Sequence, residues 1–371
     1  MKNMKIGVPK EVKPGEGRVA MLPVQAADLV EAGHEVLVQS TAGSASSVSD
    51  QDYANAGAQM MASGQEIYAA ADLIIKVKEI MPTEYDFLRP EHVIFTNVHG
   101  AANREQIDKM LEVGLTAIAA EETHQYGSPN SALAGEVGAF EGLRLVFAPH
   151  GGSGRHFLNH YGAPAAEALV IGLGGVGQGA LRTLLKLGVS VKAFDIDVGA
   201  RRRTLMQWED SPLQVFDISE LGDHLASADV IYNCVLWPKD RDDHLIFRKD
   251  LAKLSRTSVL VDISCDPAGA IETSRATTWD EPVYVEEGIR HFCVDNIPGA
   301  VPVTASAGYA RDLFDNIKLI AELGALDACR QNDYLAKGLT CCAGELILAE
   351  AGRFQNRPYT PVEEFLKRAS A

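Results

Sequence analysis

Residues 168–188 read ALVIGLGGVGQGALRTLLKLG, and the reading of this stretch decides the fold. A short apolar run, 168–171, breaks at Gly172 into G-x-G-x-x-G, and a helix-like run follows over 178–187. The glycine pattern alone is weak, but between a strand and a helix it has a mechanism. Gly172 permits the tight turn, Gly174 lets a pyrophosphate approach the backbone, and Gly177 lets the helix pack closely on the sheet. Gly175 and Val176 complete the turn, and the helix N-terminus offers N–H groups to phosphate. The next apolar run ends in FDID, which places Asp195 eighteen residues past Gly177. A carboxylate there accepts from the ribose hydroxyls and repels a 2′-phosphate, so NAD is favoured over NADP. Asp197 is the fallback for that role, while Arg201, Arg202 and Arg203 pull toward NADP. The plain alternative is a glycine-rich turn with no ligand.

Outward from this unit, strand-length apolar runs recur at 189–195, 229–235 and 258–263, with a helix around 200–207. Upstream, runs at 5–9, 35–39, 73–77, 93–98 and 116–120 alternate with helical stretches at 23–32, 51–57, 65–70 and 105–114. Such runs suit strands covered on both faces, and the rhythm predicts an α/β protein with parallel sheets. Residues 131–145 read as a connecting helix, weakened by Gly135, Gly138 and Gly142. Helices at 306–328 and 361–369 close the chain; packed back on the first unit, they would make that domain discontinuous.

Composition narrows the class. Across 371 residues, 46% are hydrophobic and 23% charged, enough apolar content for two cores and against disorder. The formal charge of -16 argues against nucleic-acid binding, because an acidic surface repels phosphate backbones. Six cysteines lack CxxC spacing, so neither a metal knuckle nor a disulfide framework is expected. The early Pro and charges argue against a secretory signal, and no apolar run nears the ~20 residues of a membrane helix. The expectation is a cytoplasmic protein with no membrane partner.

Polar groups at the ends of strand-like runs are the candidates for chemistry, since ligands gather beyond the C-terminal ends of strands in open α/β sheets. Arg18 follows a Gly-Pro-rich loop, Lys76 and Lys78 end one run, His99 ends another, and Asp262 and Asp266 flank a third. A redox site for an α-amino or 2-oxo acid needs cations for the carboxylate and a group titrating near neutrality. Arg18 with Lys78, and His99, meet that need without a metal. The bland alternatives are a surface turn for Arg18, a solvent-lit strand edge for Lys76 and Lys78, a loop cap for His99 and an Asx-turn for Asp266. His156 and His160, four apart, could share a helical face, but a metal site there is disfavoured by the nearby Gly162 and Pro164.

Several separated stretches, in order, resemble one family. KIGVPKEVKPGEGRVAMLP (5–23), ADLIIKVKEIMP (71–82), FTNVHGAANRE (95–105), GLGGVGQGA, VLVDISCDPAGAIETS (259–274), HFCVDNIPGAVPVTAS (291–306) and YLAKGLTCCAGELIL (334–348) are similar to bacterial alanine dehydrogenases. Relatives of that family include the transhydrogenase alpha subunit and the opine-forming and saccharopine-type dehydrogenases. The resemblance implies two Rossmann-like domains with doubly wound parallel sheets and a cleft between them. Residues 1–130 plus 305–371 would form the substrate domain and 131–304 the NAD-binding domain. It implies substrate-carboxylate binding by Arg18 and Lys78, general acid/base work by His99, and an acid beside the nicotinamide at Asp266. Asp195 matches the ribose acid and Asn296 an asparagine on the nicotinamide side. The family forms homo-oligomers, commonly dimers or hexamers.

The implied activity is NAD-dependent interconversion of a small, alanine-like L-amino acid with its 2-oxo acid plus ammonia. Departures from the pattern bear on the substrate side chain. SPNSALAGEVGAF (128–140) stands where LAPMSE is usual, Pro-Ala-Gly follows Asp266 instead of Gln-Gly-Gly, and His291 and Asp295 add polarity to a milder loop. The alternative is an opine- or saccharopine-type enzyme that condenses a 2-oxo acid with ornithine or lysine, whose distal ammonium would sit on Asp295, Glu286 or Glu287. A different class is a non-catalytic NAD-binding sensor or scaffold.

Overall fold

Apolar runs of four or five residues, flanked by turns, have the length of strands and the composition of strands buried on both faces. In the computed structural model, described for residues 3–369 except 126, 239–240, 242 and 266–268, those runs build two sheets. The chain divides into two compact units, residues 1–129 with 301–371, and residues 130–300.

In the first unit, β1 (Lys5–Val8), β2 (Glu35–Gln39), β3 (Gln59–Met61), β4 (Leu73–Ile75), β5 (Val93–Thr96) and β6 (Thr116–Ala119) pair in parallel, in the order β3-β2-β1-β4-β5-β6. A late hairpin, Leu339–Cys342 with Glu345–Leu346, adds antiparallel to β6. Helix Pro302–Leu323 lays Tyr309, Leu313, Ile317 and Ile320 into the same core as Ile6, Val8, Leu73 and Phe95. The tail reads from sequence as one helix over 306–328, but Gly324, at φ +83, breaks it before helix Ala325–Gln331.

In the second unit, β7 (Ala168–Ile171), β8 (Val191–Asp195), β9 (Leu213–Asp217), β10 (Val230–Asn233), β11 (Val259–Asp262), β12 (Val283–Glu286) and β13 (Ile289–Phe292) run in the order β12-β13-β11-β10-β7-β8-β9. All pairs are parallel except β12 with β13.

Both sheets are therefore Rossmann-like, but neither is purely parallel as expected. Each ends in a hairpin whose two-residue turn can join only antiparallel strands, and in the first sheet the hairpin's leading strand also lies antiparallel to β6. The turns are Glu287-Gly288, at φ +50 and +79, and Ala343-Gly344, at φ +50 and +81. The edge strands β3 and β9 escape a search for apolar runs because they are only partly buried.

The glycines that weaken the connecting helix are its packing face. Helix Pro129–Leu145 exists, and a Cβ on Gly135 would lie 1.9 Å from the Val176 carbonyl oxygen, and one on Gly142 2.3 Å from the Tyr232 ring. Residues 156–160 are not helical, so His156 and His160 do not share a helix face. Among the described residues no helix is long and apolar enough to cross a membrane.

Candidate active site

Strand order in the first unit reverses between β1 and β4, the switch point where open α/β sheets bind ligands. The segments leaving β1, β4 and β5 carry Arg18, Lys78 and His99 to that end of the sheet. β4 is an interior strand, so the solvent-lit edge considered for its lysines is not what forms. Lys76 is 0% exposed and Lys78 8%.

A buried ammonium needs carboxylates, and Lys76 has two. Its Nζ lies 3.2 Å from Glu11 Oε2 and 3.0 Å from Glu84 Oε1. Lys76 is thereby structural, while Lys78 lies within electrostatic reach of Lys13, Arg18, Glu16 and Glu79. Burial pulls the Lys78 pKa below the ordinary lysine value; Glu79 opposes this, and Lys13 and Arg18 add to it.

Arg18 is 3% exposed, which excludes a surface turn. Its Nε donates to Glu16 Oε1 at 2.7 Å and its Nη2 to Glu16 Oε2 at 2.5 Å, a two-point clasp that fixes the guanidinium plane. The loop carrying it is anchored by Ser46 Oγ donating to the Gly17 carbonyl at 3.0 Å. The Val19 N–H donates to Ser306 Oγ, also at 3.0 Å.

His99 sits at φ +47, a left-handed conformation uncommon outside glycine. Its N–H donates to Glu121 Oε1 at 2.5 Å, and the Val98 N–H reaches the same carboxylate at 3.0 Å. The ring Nδ1 lies 2.6 Å from Glu79 Oε1, and Lys13 Nζ lies 3.6 Å from Glu79 Oε2. Burial pushes the Glu79 carboxyl up, but the His99 hydrogen bond and the charges of His99, Lys78 and Lys13 outweigh it and hold the group below its ordinary value. An ionised carboxylate only accepts, so Nδ1 carries the hydrogen and Nε2 is left to exchange a proton. The loop-cap alternative for His99 thus describes its backbone and leaves its ring available, 40% exposed.

Sequence reading missed the acids Glu11, Glu16, Glu79 and Glu121. Glu16 in GEGR and Glu79 in KVKE stand beside Arg18 and Lys78, whereas Glu11 reaches Lys76 from a distant strand end; the signal is that a cation buried at a strand end requires a carboxylate.

In the second unit the glycine turn has the form a dinucleotide requires. Gly172 is at φ +91, and a Cβ on Gly177 would lie 1.9 Å from the Gly172 carbonyl oxygen, so only glycine lets the helix approach. A Cβ on Gly174 would meet nothing within 4 Å, which leaves the space a pyrophosphate needs. Helix Gly175–Lys186 starts with Gly174 as N-cap and no side-chain capping bond, leaving N–H groups for phosphate. Val176, in its first turn, gives its carbonyl to the Gly135 contact described above.

Asp195 ends β8, where Oδ2 accepts from the Leu173 N–H and Oδ1 from the Asp197 N–H, both at 2.7 Å. A carboxylate has about four lone-pair sites, so capacity remains for ribose hydroxyls. Asp197, the fallback, instead caps helix Val198–Gln207 by accepting from the Gly199 and Ala200 N–H groups. Within the arginine cluster, Arg201 pairs with Asp217 and donates to the Asp195 carbonyl, while the exposed Arg203 lies 3.5 Å from Asp197.

Asn296 is buried just before the turn Ile297–Ala300, where its carbonyl accepts from Trp279 Nε1 at 3.1 Å. Asp266 lies outside the described residues. Asp262 ends β11 and accepts from Asn233 Nδ2 at 2.8 Å. His291, read as added loop polarity, is wholly buried, bonded to Thr273 Oγ1 at 2.9 Å and stacked on Tyr284. Glu286 and Glu287 both pair with Arg248, at 2.5 and 2.8 Å. Among the described residues, no group of three or more His, Cys, Asp or Glu is placed to hold a metal.

Comparison with known proteins covers nearly the whole chain. Residues 7–134 match the family described as alanine dehydrogenase/PNT, N-terminal domain, and residues 140–349 match its C-terminal domain. An alanine dehydrogenase of Mycolicibacterium smegmatis is 33% identical over 370 residues, covering 98% of this chain and 100% of the relative. Alanine dehydrogenase 1 of Staphylococcus aureus is 34% identical over 355 residues, 92% of this chain and 94% of the relative. A solved L-alanine dehydrogenase superposes with a TM-score of 0.88 at 33% identity, covering 95% of this chain and 99% of that one. A transhydrogenase from Sinorhizobium meliloti shares the fold, with a TM-score of 0.74 at 24% identity over 93% of this chain and 99% of that one.

Proposed function

The chain belongs to the alanine dehydrogenase/PNT family, and from that premise we propose that Arg18, Lys78 and His99 equip it as an NAD-dependent amino-acid dehydrogenase for a small, alanine-like L-amino acid. The observation that carries this reading is the gathering of two buried cations and an acid-oriented histidine at the switch point of the first sheet, in a chain whose second sheet has the dinucleotide turn.

Arg18 and Lys78 hold the substrate α-carboxylate, a fixed pair of positive charges that orients the α-carbon. Gly172, Gly174, Gly175, Val176, Gly177 and Asp195 hold NAD, with Asn296 on its nicotinamide side. NAD, when bound, accepts the α-hydrogen as hydride. His99 Nε2 takes the proton of water as it adds to the resulting iminium, and returns it as ammonia leaves. Glu79 keeps the ring in the tautomer this requires. Asp266 steadies the cationic intermediate.

Ammonia is favoured over a second amino acid as the amine. Glu286 and Glu287, two of the acids considered for a distal ammonium, are already paired with Arg248. Asp195, together with the engagement of Arg201 by Asp217, supports NAD over NADP. We further place the protein in the cytoplasm as a homo-oligomer. Six cysteines without a disulfide support the location, and family membership supports the assembly.

The test is oxidation of NADH by purified protein with pyruvate and other 2-oxo acids, first with ammonium, then with ornithine or lysine instead, and with NADPH in parallel. Turnover with ammonium and NADH is expected. Turnover only with a second amino acid would overturn the reading, and NADH binding without any turnover would favour a sensor.

A further inference from the structure

Lys78 must stand in one place to grip a carboxylate, yet it lies beyond the end of its strand. β4 closes at Ile75, and the last strand-like bond is from the Lys76 N–H to the Phe95 carbonyl at 3.1 Å. The next two N–H groups are buried and need acceptors. Both go to one side chain: Glu11 Oε1 accepts from Val77 at 2.6 Å and from Lys78 at 3.3 Å. The Lys78 carbonyl in turn accepts from Thr96 Oγ1 at 2.6 Å.

Glu11 is itself held. Its Oε2 faces Lys76 Nζ, which also binds Glu84 Oε1. Glu84 takes the Tyr68 hydroxyl at 3.0 Å and the Met81 N–H at 2.9 Å. Residues 77–81 are thus clasped at both ends by carboxylates joined through one buried ammonium.

We propose that Glu11 is a positioning residue for carboxylate recognition. It captures the two N–H groups left over at the end of β4 and so fixes the backbone from which the Lys78 ammonium projects. This rests on the reading that Lys78 holds the substrate carboxylate. Glu11 touches no substrate, so its loss acts on binding of the 2-oxo acid and spares NADH, which the other unit holds.

Steady-state kinetics of Glu11→Ala, Glu11→Gln and Lys78→Ala test it, with folding followed by circular dichroism. Glu11→Ala is expected to raise KM for the 2-oxo acid about tenfold or more while KM for NADH moves less than about twofold. Glu11→Gln is expected to recover KM to within about threefold of the parent, because its amide oxygen still reaches both N–H groups and Lys76 keeps Glu84. An unchanged oxo-acid KM in Glu11→Ala overturns the proposal. So does a folded Glu11→Gln no better than Glu11→Ala, or equal damage to both KM values. Should Glu11→Ala fail to fold, Glu11→Asp replaces it under the same criteria, since it keeps the charge but falls a methylene short. If Lys78→Ala leaves the oxo-acid KM unchanged, the carboxylate reading falls and this proposal with it. If Lys78→Ala raises it and Glu11→Ala does not, only the positioning role falls.

Discussion

Lys78 is a buried cation whose charge the surroundings oppose. Burial lowers its pKa, Glu79 resists, and Lys13 and Arg18 reinforce the shift. In the proposed role its ammonium form binds the carboxylate, so affinity would be full below the lowered pKa and fall as pH rises through it. A non-reactive 2-hydroxy acid, titrated onto the NADH complex, is therefore expected to weaken at a pH below that at which an ordinary lysine would deprotonate. Lys78→Arg, always charged, should abolish that pH dependence. An unchanged limb in the arginine variant would assign it to another group. His99 is a second residue-scale case, because its left-handed backbone confuses a simple substitution. Asn tolerates that conformation, so His99→Asn should spare the fold and lower kcat about 10²–10⁴-fold, measured with NADH saturating. A smaller loss would remove His99 from proton transfer.

At the scale of elements, glycines separate packing from binding. Gly177 meets the Gly172 carbonyl, backbone against backbone, and neither can yield. Gly177→Ala is expected to cost about 1–3 kcal/mol in urea unfolding and to weaken NADH binding as well. Gly174 meets nothing, and its φ of -74 suits alanine. Gly174→Ala should therefore leave the unfolding midpoint in place while weakening NADH, measured by fluorescence quenching; equal effects from both variants would refute the distinction. The same logic explains why the connecting helix was only half legible. Three glycines at 135, 138 and 142 read as helix breakers by propensity, but each contact they make needs a neighbouring helix, strand or loop that propensity does not describe. The two edge hairpins were legible in principle, since Ala-Gly and Glu-Gly sit at their turns, but their strands lack the long apolar runs that marked the others.

At the scale of the whole molecule, the proposed function divides its tasks between the two units, carboxylate recognition in the first and coenzyme binding in the second. Coenzyme at about 100 times its dissociation constant stabilises a binder by about 2.7 kcal/mol, which appears as a rise in Tm. Lys78→Met should keep that rise and lose oxo-acid affinity, whereas Gly174→Ala should lose most of the rise. A Lys78 variant that no longer responds to NADH would show that the tasks are not separable. Membership of the alanine dehydrogenase/PNT family makes the substrate a small-molecule amino acid or 2-oxo acid.

The sequence by itself determined the strand–turn–helix around Gly172, the α/β rhythm, the acid ending β8 and the cations at strand ends, because each depends on residues close together in the chain. Glu16 and Glu79 lie next to Arg18 and Lys78 in the chain, but the long-range partners in this site were decided by tertiary structure. Glu11 meets the Val77 N–H across 66 positions, and His99 meets Glu79 across 20. Burial is what forces these pairings: a charge taken out of water must find its opposite, and which one it finds depends on the strands that the sheet sets side by side.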